Sequence, residues 1–242
     1  MKKYKSQSKI LAIIPARGGS KSILRKNIVD LNGKPLISYT IESALASGVS
    51  KDVLVSTDDH EIADISRSLG AKVPFIRPNN LANDKAESAP VIKHALLFME
   101  DMLKVQYDAV LMLQPTSPLR KADHIKRAVN LMERENFDSV VSIVDVNGYH
   151  PLRMKTLKGN KLSNYIEQGF WNLKPRQDLP KVFIRNGAIY LVNREIFLRK
   201  GEMIGNNPGG LIMTDKESVN IDSPLDLSLA KLLISENESI MS

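Results

Sequence analysis

Residues 9–31 read KILAIIPARGGSKSILRKNIVDL, and their chemistry concentrates in the second half. Gly18 and Gly19 are surrounded by Arg17, Lys21, Arg25 and Lys26, with Ser20 and Asn27 among them. Glycines let a backbone turn sharply and lie close to a ligand. Freed amides flanked by several cations suit a polyphosphate. Neither common phosphate loop fits. Ser20 separates Gly19 from Lys21, no glycine stands at the earlier Walker position, and GxGxxG is absent. From spacing alone, a basic surface loop after a strand is the competing reading. Asp58 and Asp59 follow the apolar run DVLVST and suit a metal or a ribose, but more naturally a helix cap. In QPTSPLR two prolines bracket Thr116 and Ser117, which suits a rigid turn presenting short hydroxyls. His60, His94, His124 and His150 show no metal-ligand spacing.

These groups need a scaffold, and the apolar pattern supplies one. Residues 10–14 form a short isoleucine-rich run, as in a strand buried on both faces. The periodic segment after Pro35 predicts a helix stopping at Gly48, with Leu36, Ile37, Ile41 and Leu45 facing the core. Strands are predicted at 52–57, 73–76, 108–113, 138–146, 182–192 and 218–222. Helices are predicted after Asp59 and at 90–104, 122–136, 194–200 and 224–235, with a turn at 206–210. Asn186-Gly187 interrupts a strand pattern, as where backbone or ligand approaches closely. Residues 147–181 lose the periodicity, gather glycines and prolines and hold the only tryptophan, Trp171, so they read as an insertion. The alternation predicts an α/β fold: a Rossmann-like, mostly parallel sheet with helices on both faces. Ligands then gather at the carboxyl ends of the strands, where the glycine loop, Arg77, Gln114 and Asp222 would meet.

The 242 residues fit one domain spanning 1–242 with the 147–181 insertion. A hydrophobic fraction of 43% supplies a core, and the lack of cysteine excludes disulfides, cysteine-ligated zinc and thiol catalysis. This composition fits a reducing cytoplasm. The net charge of +7 favours anionic ligands. Only 5% of residues are aromatic and no nucleic-acid module is recognisable, so nucleic acid is not an expected partner. The apolar run at 10–14 is too short for a signal or a membrane span.

IPARGGSKSILRKNI resembles the N-terminal signature of the N-acylneuraminate cytidylyltransferase family, PARGGSKGIPRKN, with Ser22 for glycine and Leu24 for proline. QPTSPLR, KPRQDLP, RNGAIY and SVNIDSPLDL resemble further blocks in the family's order. The resemblance implies a nucleotidyltransferase (GT-A-like) fold whose insertion is a dimerisation element reaching over the partner's site. It implies activation of a nine-carbon 2-keto sugar acid by CTP, giving the CMP-sugar and pyrophosphate. N-acetylneuraminic, legionaminic and pseudaminic acids are the candidates. Arg17, Gly18, Gly19, Ser20, Lys21, Lys26, Asn27, Arg77 and Ser88 become nucleotide-binding candidates, with Arg17 and Lys21 on the phosphates. Gln114, Thr116, Ser117, Arg153, Arg176, Gln177 and Asn186 become sugar-acid candidates. The last block usually carries Asp-Ile-Asp as a metal site; here it is Asn220 and Asp222. If this stretch is a strand, side chains two apart share a face, so Asp222 is the expected main Mg²⁺ ligand and Asn220 its auxiliary. Ser223-Pro224 with Asp226 reads as a helix start and leaves Asp222 free of the cap. No residue stands out as general base. A 3-deoxy-manno-octulosonate cytidylyltransferase, an inactive nucleotide-binding homologue and a basic nucleic-acid binder are the alternatives.

Overall fold

The computed structural model describes residues 8–83, 86–167 and 175–241. The chain begins with β1 (Ile10–Pro15), followed by a tight hairpin of β2 (Asp30–Leu31) and β3 (Lys34–Pro35). Then come α1 (Leu36–Ser47), β4 (Asp52–Ser56), α2 (His60–Ser68), α3 (Ser88–Leu103), β5 (Ala109–Met112), α4 (Ala122–Arg134) and β6 (Ser139–Asp145). A hairpin of β7 (Lys155–Lys158) and β8 (Lys161–Asn164) precedes β9 (Phe183–Asn193), α5 (Arg194–Lys200), β10 (Pro208–Ile212) and α6 (Pro224–Met241).

Six strands form the central sheet in the order β10-β6-β9-β5-β1-β4. All pair in parallel except β9, which runs antiparallel to both β5 and β6. The alternation of a strand's side chains feeds two cores. Ile10, Ala12 and Ile14 pack with Ile37, Ile41, Ile125 and Met132 of α1 and α4. Leu11 and Ile13 pack with Ile92, Leu96 and Met99 of α3 and Phe197 of α5. Helices therefore cover both faces, and β1 is apolar throughout because neither face meets water. A third cluster seats α6, through Ala230 and Leu233, against Leu31, Leu36 and Ile221.

Four local expectations are corrected. Leu45 is 44% exposed, and Ala44 takes the inward position on α1. Residues 73–76 form no strand beyond an isolated bridge between Leu54 and Lys72; Pro74 lacks the N–H that would extend the ladder. The expected turn at 206–210 contains the edge strand β10 from Pro208 onward. Its Gly209 lets the backbone lie on the Phe137 ring, since a Cβ there would fall 2.3 Å from that side chain. Residues 218–222 are not a strand either. A short 3₁₀ turn, Lys216–Ser218, leads into an extended segment tied down where Ile221 N donates to Thr116 O at 2.8 Å.

Within 147–181 the described residues form 3₁₀ turns at Asn147–Tyr149, Pro151–Arg153 and Arg176–Asp178 and the hairpin β7–β8, which is separate from the central sheet. Trp171 lies outside the described residues.

Candidate active site

The turn after β1 carries the densest charge. Gly18 N donates to Asp58 Oδ1 at 3.0 Å, tying the loop to the end of β4. Asp59 caps α2 by accepting from Ile62 N at 3.0 Å. Its side chain lies so close to Gly18 that a Cβ there would stand 2.7 Å from Oδ2, which is why only glycine fits. Neither Gly18 nor Gly19 takes a left-handed conformation; the demand at Gly18 is close approach.

Arg25 departs from the expected cradle. It adopts a left-handed backbone, φ 51°. Its Nη2 donates to Asp59 Oδ1 and Oδ2 at 2.9 and 3.0 Å and lies 2.8 Å from Glu61. Burial opposes ionisation of Asp59, but the Ile62 amide and Arg25 outweigh it and hold the carboxyl below its ordinary range. Arg25 thus shapes the turn. The next residues enter the site: Asn27 Nδ2 donates to Arg17 O at 2.9 Å, and Lys26 Nζ donates to Asp222 Oδ1 at 3.0 Å.

These groups line a cleft of about 540 Å³ at the carboxyl ends of β1 and β5. Arg17, Ser20, Lys21, Lys26 and Asn27 come from the loop, and Ser88 and Val91 from the start of α3. Arg77 lines it too, with Gln114 and Thr116 from the turn after β5 and Asn220 and Asp222 from the segment before α6. Arg77 is tied to the β4 side: Nε donates to Ser56 Oγ at 3.1 Å and Nη2 to Ser56 O. Burial pushes its pKa down to about 10, so it stays charged at neutral pH. From Arg77 beside β4 to Gln114 after β5, the cleft crosses the end of β1, which lies between those two strands.

Other candidates fall outside this lining. Ser117 is fully buried, and its hydroxyl has no partner among the described residues. Asn186 is buried in the irregularity of β9. Its Oδ1 accepts from Ser142 Oγ at 2.6 Å and Ala188 N at 3.2 Å, and its Nδ2 donates to Ser218 Oγ at 2.9 Å. Arg153 and Gln177 stand on the 3₁₀ turns of the insertion, as does the backbone of Arg176.

Two oxygen donors suit a hard cation. Asp222 has a 68% exposed side chain, and Asn220 Oδ1 is buried without a hydrogen-bond partner. Asn220 Nδ2 donates to Asp222 Oδ2, so the two side chains meet without the strand geometry expected of them. Asp226 accepts from Ser223 N at 2.7 Å and Ser223 Oγ at 2.8 Å, which leaves the Asp222 carboxylate outside the cap. Mg²⁺ commonly takes one or two protein oxygens, with water and phosphate completing its octahedron. One carboxylate and one amide oxygen fit that need, and among the described residues no cluster of three or more His, Cys, Asp or Glu competes for it.

The profile of the family described as cytidylyltransferase matches residues 11–197. The chain belongs to this family. It is 36% identical over 244 residues to the CMP-N,N'-diacetyllegionaminic acid synthase of Legionella pneumophila, covering 96% of this chain and 99% of that protein. It is 37% identical over 228 residues to the N-acylneuraminate cytidylyltransferase of Escherichia coli O18:K1:H7, covering 93% of this chain but 52% of that longer protein. A solved CMP:2-keto-3-deoxy-manno-octonic acid synthetase, determined with CTP, superposes with a TM-score of 0.67. That match covers 95% of this chain and all of the other at 19% identity, so it speaks for the fold alone. The family is one of nucleotidyltransferases. Its profile spans the strands that carry the cation loop, Arg77 and Gln114, and stops before Asn220 and Asp222.

Proposed function

We propose that the protein joins CTP to a nine-carbon 2-keto sugar acid of the sialic type, releasing pyrophosphate and the CMP-sugar. The observation that carries this reading is the single cleft in which Arg17, Lys21 and Lys26 face Gln114, Thr116, Asn220 and Asp222. An anionic donor and an anionic acceptor both need cations there. The names of the Legionella and E. coli relatives supply the acceptor class.

The triphosphate lies along the β1 turn, with Arg17 and Lys21 on its β- and γ-phosphates. Ser20, Lys26 and Asn27 support it, with the Gly18 and Gly19 backbone alongside. Arg77 and Ser88 hold the cytidine half. The acceptor enters beside Gln114 and Thr116. Its anomeric hydroxyl attacks the α-phosphorus, one P–O bond forms as the bond to pyrophosphate breaks, and the hydroxyl proton passes to a base. Negative charge grows on the leaving pyrophosphate, where fixed cations lower the barrier most. Asp222, with Asn220 as auxiliary, would hold Mg²⁺, which supplies charge neutralisation at the phosphates.

The acceptor site is completed by a second copy in a homodimer, whose insertion brings Arg153, Arg176 and Gln177 near the acid. Exposed Leu157, Leu162 and Tyr165 on and beside the β7–β8 hairpin support such a contact. The enzyme works in the cytoplasm, where CTP is available; among the described residues no helix is long and apolar enough to cross a membrane.

The test is ³¹P NMR of the protein with CTP, MgCl₂ and N-acetylneuraminic, legionaminic or pseudaminic acid. A new phosphodiester resonance with an equal amount of pyrophosphate is expected for at least one acid. CMP with pyrophosphate and no sugar adduct, or no change with any acid, would overturn the reading.

A further inference from the structure

Beneath the acceptor side of the cleft lies a cation that the reaction as described does not use. Arg120 is 2% exposed, and among the described residues no carboxylate pairs with it. Its Nη1 donates to two backbone carbonyls, Ala188 O at 2.9 Å and Gln114 O at 3.2 Å. Nε and Nη2 are buried without partners. Burial pushes its pKa down to about 9, so at neutral pH the group keeps its charge. A guanidinium buried with no carboxylate beside it carries a large desolvation cost. A methionine would fill the space without burying a charge, so the guanidinium calls for a use.

The two carbonyls indicate the use. Gln114 opens the turn that lines the cleft. Ala188 follows Gly187, the one left-handed position in β9, with φ 81°. The Gln114 side chain lies over Gly187, so that a Cβ there would stand 2.6 Å from Oε1 and 3.8 Å from Asn220 Oδ1. Arg120 is thus the only described side chain that bonds both walls of this corner, the β5 turn and the β9 irregularity. Both bonds come from Nη1, whose two N–H groups are fixed in the guanidinium plane, whereas the hydrogens of an ammonium turn on a flexible stem.

We propose that Arg120 is a positioning residue for the acceptor: it holds the Gln114 amide over Gly187 and leaves an unneutralised positive charge beneath the place where an anionic acceptor binds. This rests on the proposed reading of the acceptor as a sugar acid. The triphosphate cradle does not depend on it, because the β1 turn is tied to Asp58 through Gly18 N and to Asp59 through Arg25, and Lys26 is held on Asp222.

The experiment compares wild type, Arg120→Met and Arg120→Lys in steady state, varying CTP and the sugar acid separately. Arg120→Met is expected to raise KM for the acid about tenfold or more, since a small misplacement of a positioning group costs that much. KM for CTP should stay within about twofold of wild type, because uniform contacts on CTP are untouched. Arg120→Lys should fall between, keeping charge but losing the fork. A purely architectural role would only lower the active fraction, reducing kcat and leaving both KM values unchanged; that outcome, or equal effects on both KM values, overturns the proposal. Should Arg120→Met fail to fold, the comparison rests on Arg120→Lys and on the wild-type ¹⁵Nε resonance of Arg120. That resonance is expected to move when the acid is added to enzyme holding a non-hydrolysable CTP analogue, but not with the analogue alone; an unmoved resonance counts against the role. Failure of wild type to turn over any sugar acid would refute the functional reading, whereas normal turnover with unchanged acid KM in the variants refutes only the role of Arg120.

Discussion

Arg17 and Lys21 line the cleft from the β1 turn, whereas Arg25 of the same turn is held on Asp59. If Lys21 stabilises charge that grows on the leaving group, Lys21→Ala should lower kcat/KM by about 10²-fold or more with the fold intact. A folded variant with unchanged kinetics in stopped-flow or coupled pyrophosphate assays would remove Lys21 from that role. Asp222→Asn should abolish most Mg²⁺-dependent turnover, and Asn220→Asp should keep activity while lowering the Mg²⁺ concentration required. Titration of Mn²⁺ binding by electron paramagnetic resonance checks the same pair without turnover: weaker in the first variant, tighter in the second. At this scale the sequence was informative where chemistry sits in side-chain type. The cations of the β1 turn and the Asn220–Asp222 pair come from widely separated segments and meet in one cleft. Arg25 was illegible because its direction is set by a left-handed backbone and by Asp59, neither of which residue type reveals. Arg120 reads only as the last residue of QPTSPLR, because nothing in a single sequence marks an arginine as buried.

At the scale of elements, the apolar runs and their punctuation were legible, whereas the partners of weak strands were not. β1 and α1 follow from an isoleucine run ended by Pro15 and a periodic segment ended by Gly48. The two glycines of β10 read as a turn in the sequence, whereas one of them permits packing on Phe137. The segment at 218–222 has strand-like residues but pairs with no strand, and it is held instead by Ile221 N on Thr116 O and by the side chains of Asn186 and Lys26 on Ser218 and Asp222. β9 is the element most exposed to a simple test. Gly187→Ala would place a methyl group 2.6 Å from Gln114 Oε1 at a left-handed position. A loss of about 1–3 kcal/mol of stability is expected from the backbone strain alone, and displacement of Gln114 should raise KM for the acid more than KM for CTP. Chemical denaturation and steady-state kinetics check the two effects separately.

For the whole molecule, the alternation of strands and helices specified an α/β sheet with ligands at its carboxyl edge, and six strands with helices on both faces realise it. The exception, antiparallel β9, followed from no pattern, because an apolar strand reads alike in either direction. The sheet also carries a buried acid. Asp52 at the start of β4 accepts from Tyr107 Oη at 2.7 Å and from Lys72 Nζ. Burial raises its pKa, but the bonds from Lys72 and Tyr107 outweigh it and hold the carboxyl below the ordinary range. A depressed folded-state pKa gives stability that is present above the unfolded pKa and lost as pH falls through the folded one. Stability should therefore decline in acid below the ordinary aspartate range. Asp52→Asn should cost about 1–3 kcal/mol near neutrality by weakening buried bonds and should flatten the acid limb of the stability curve measured by urea denaturation. In solution, light scattering should find a dimer under assay conditions; a fully active monomer would remove the contribution of Arg153, Arg176 and Gln177 from a second copy.

The most direct measurement is pyrophosphate release from CTP and Mg²⁺ with a panel of acceptors: N-acetylneuraminic, legionaminic and pseudaminic acids beside the eight-carbon 3-deoxy-manno-octulosonate. The account predicts turnover that requires both Mg²⁺ and a nine-carbon acid, with kcat/KM at least about tenfold above that for the eight-carbon acid, a margin that one set of acceptor contacts can supply. Release only with the eight-carbon acid, or none with any acid from protein that still binds CTP, would contradict it.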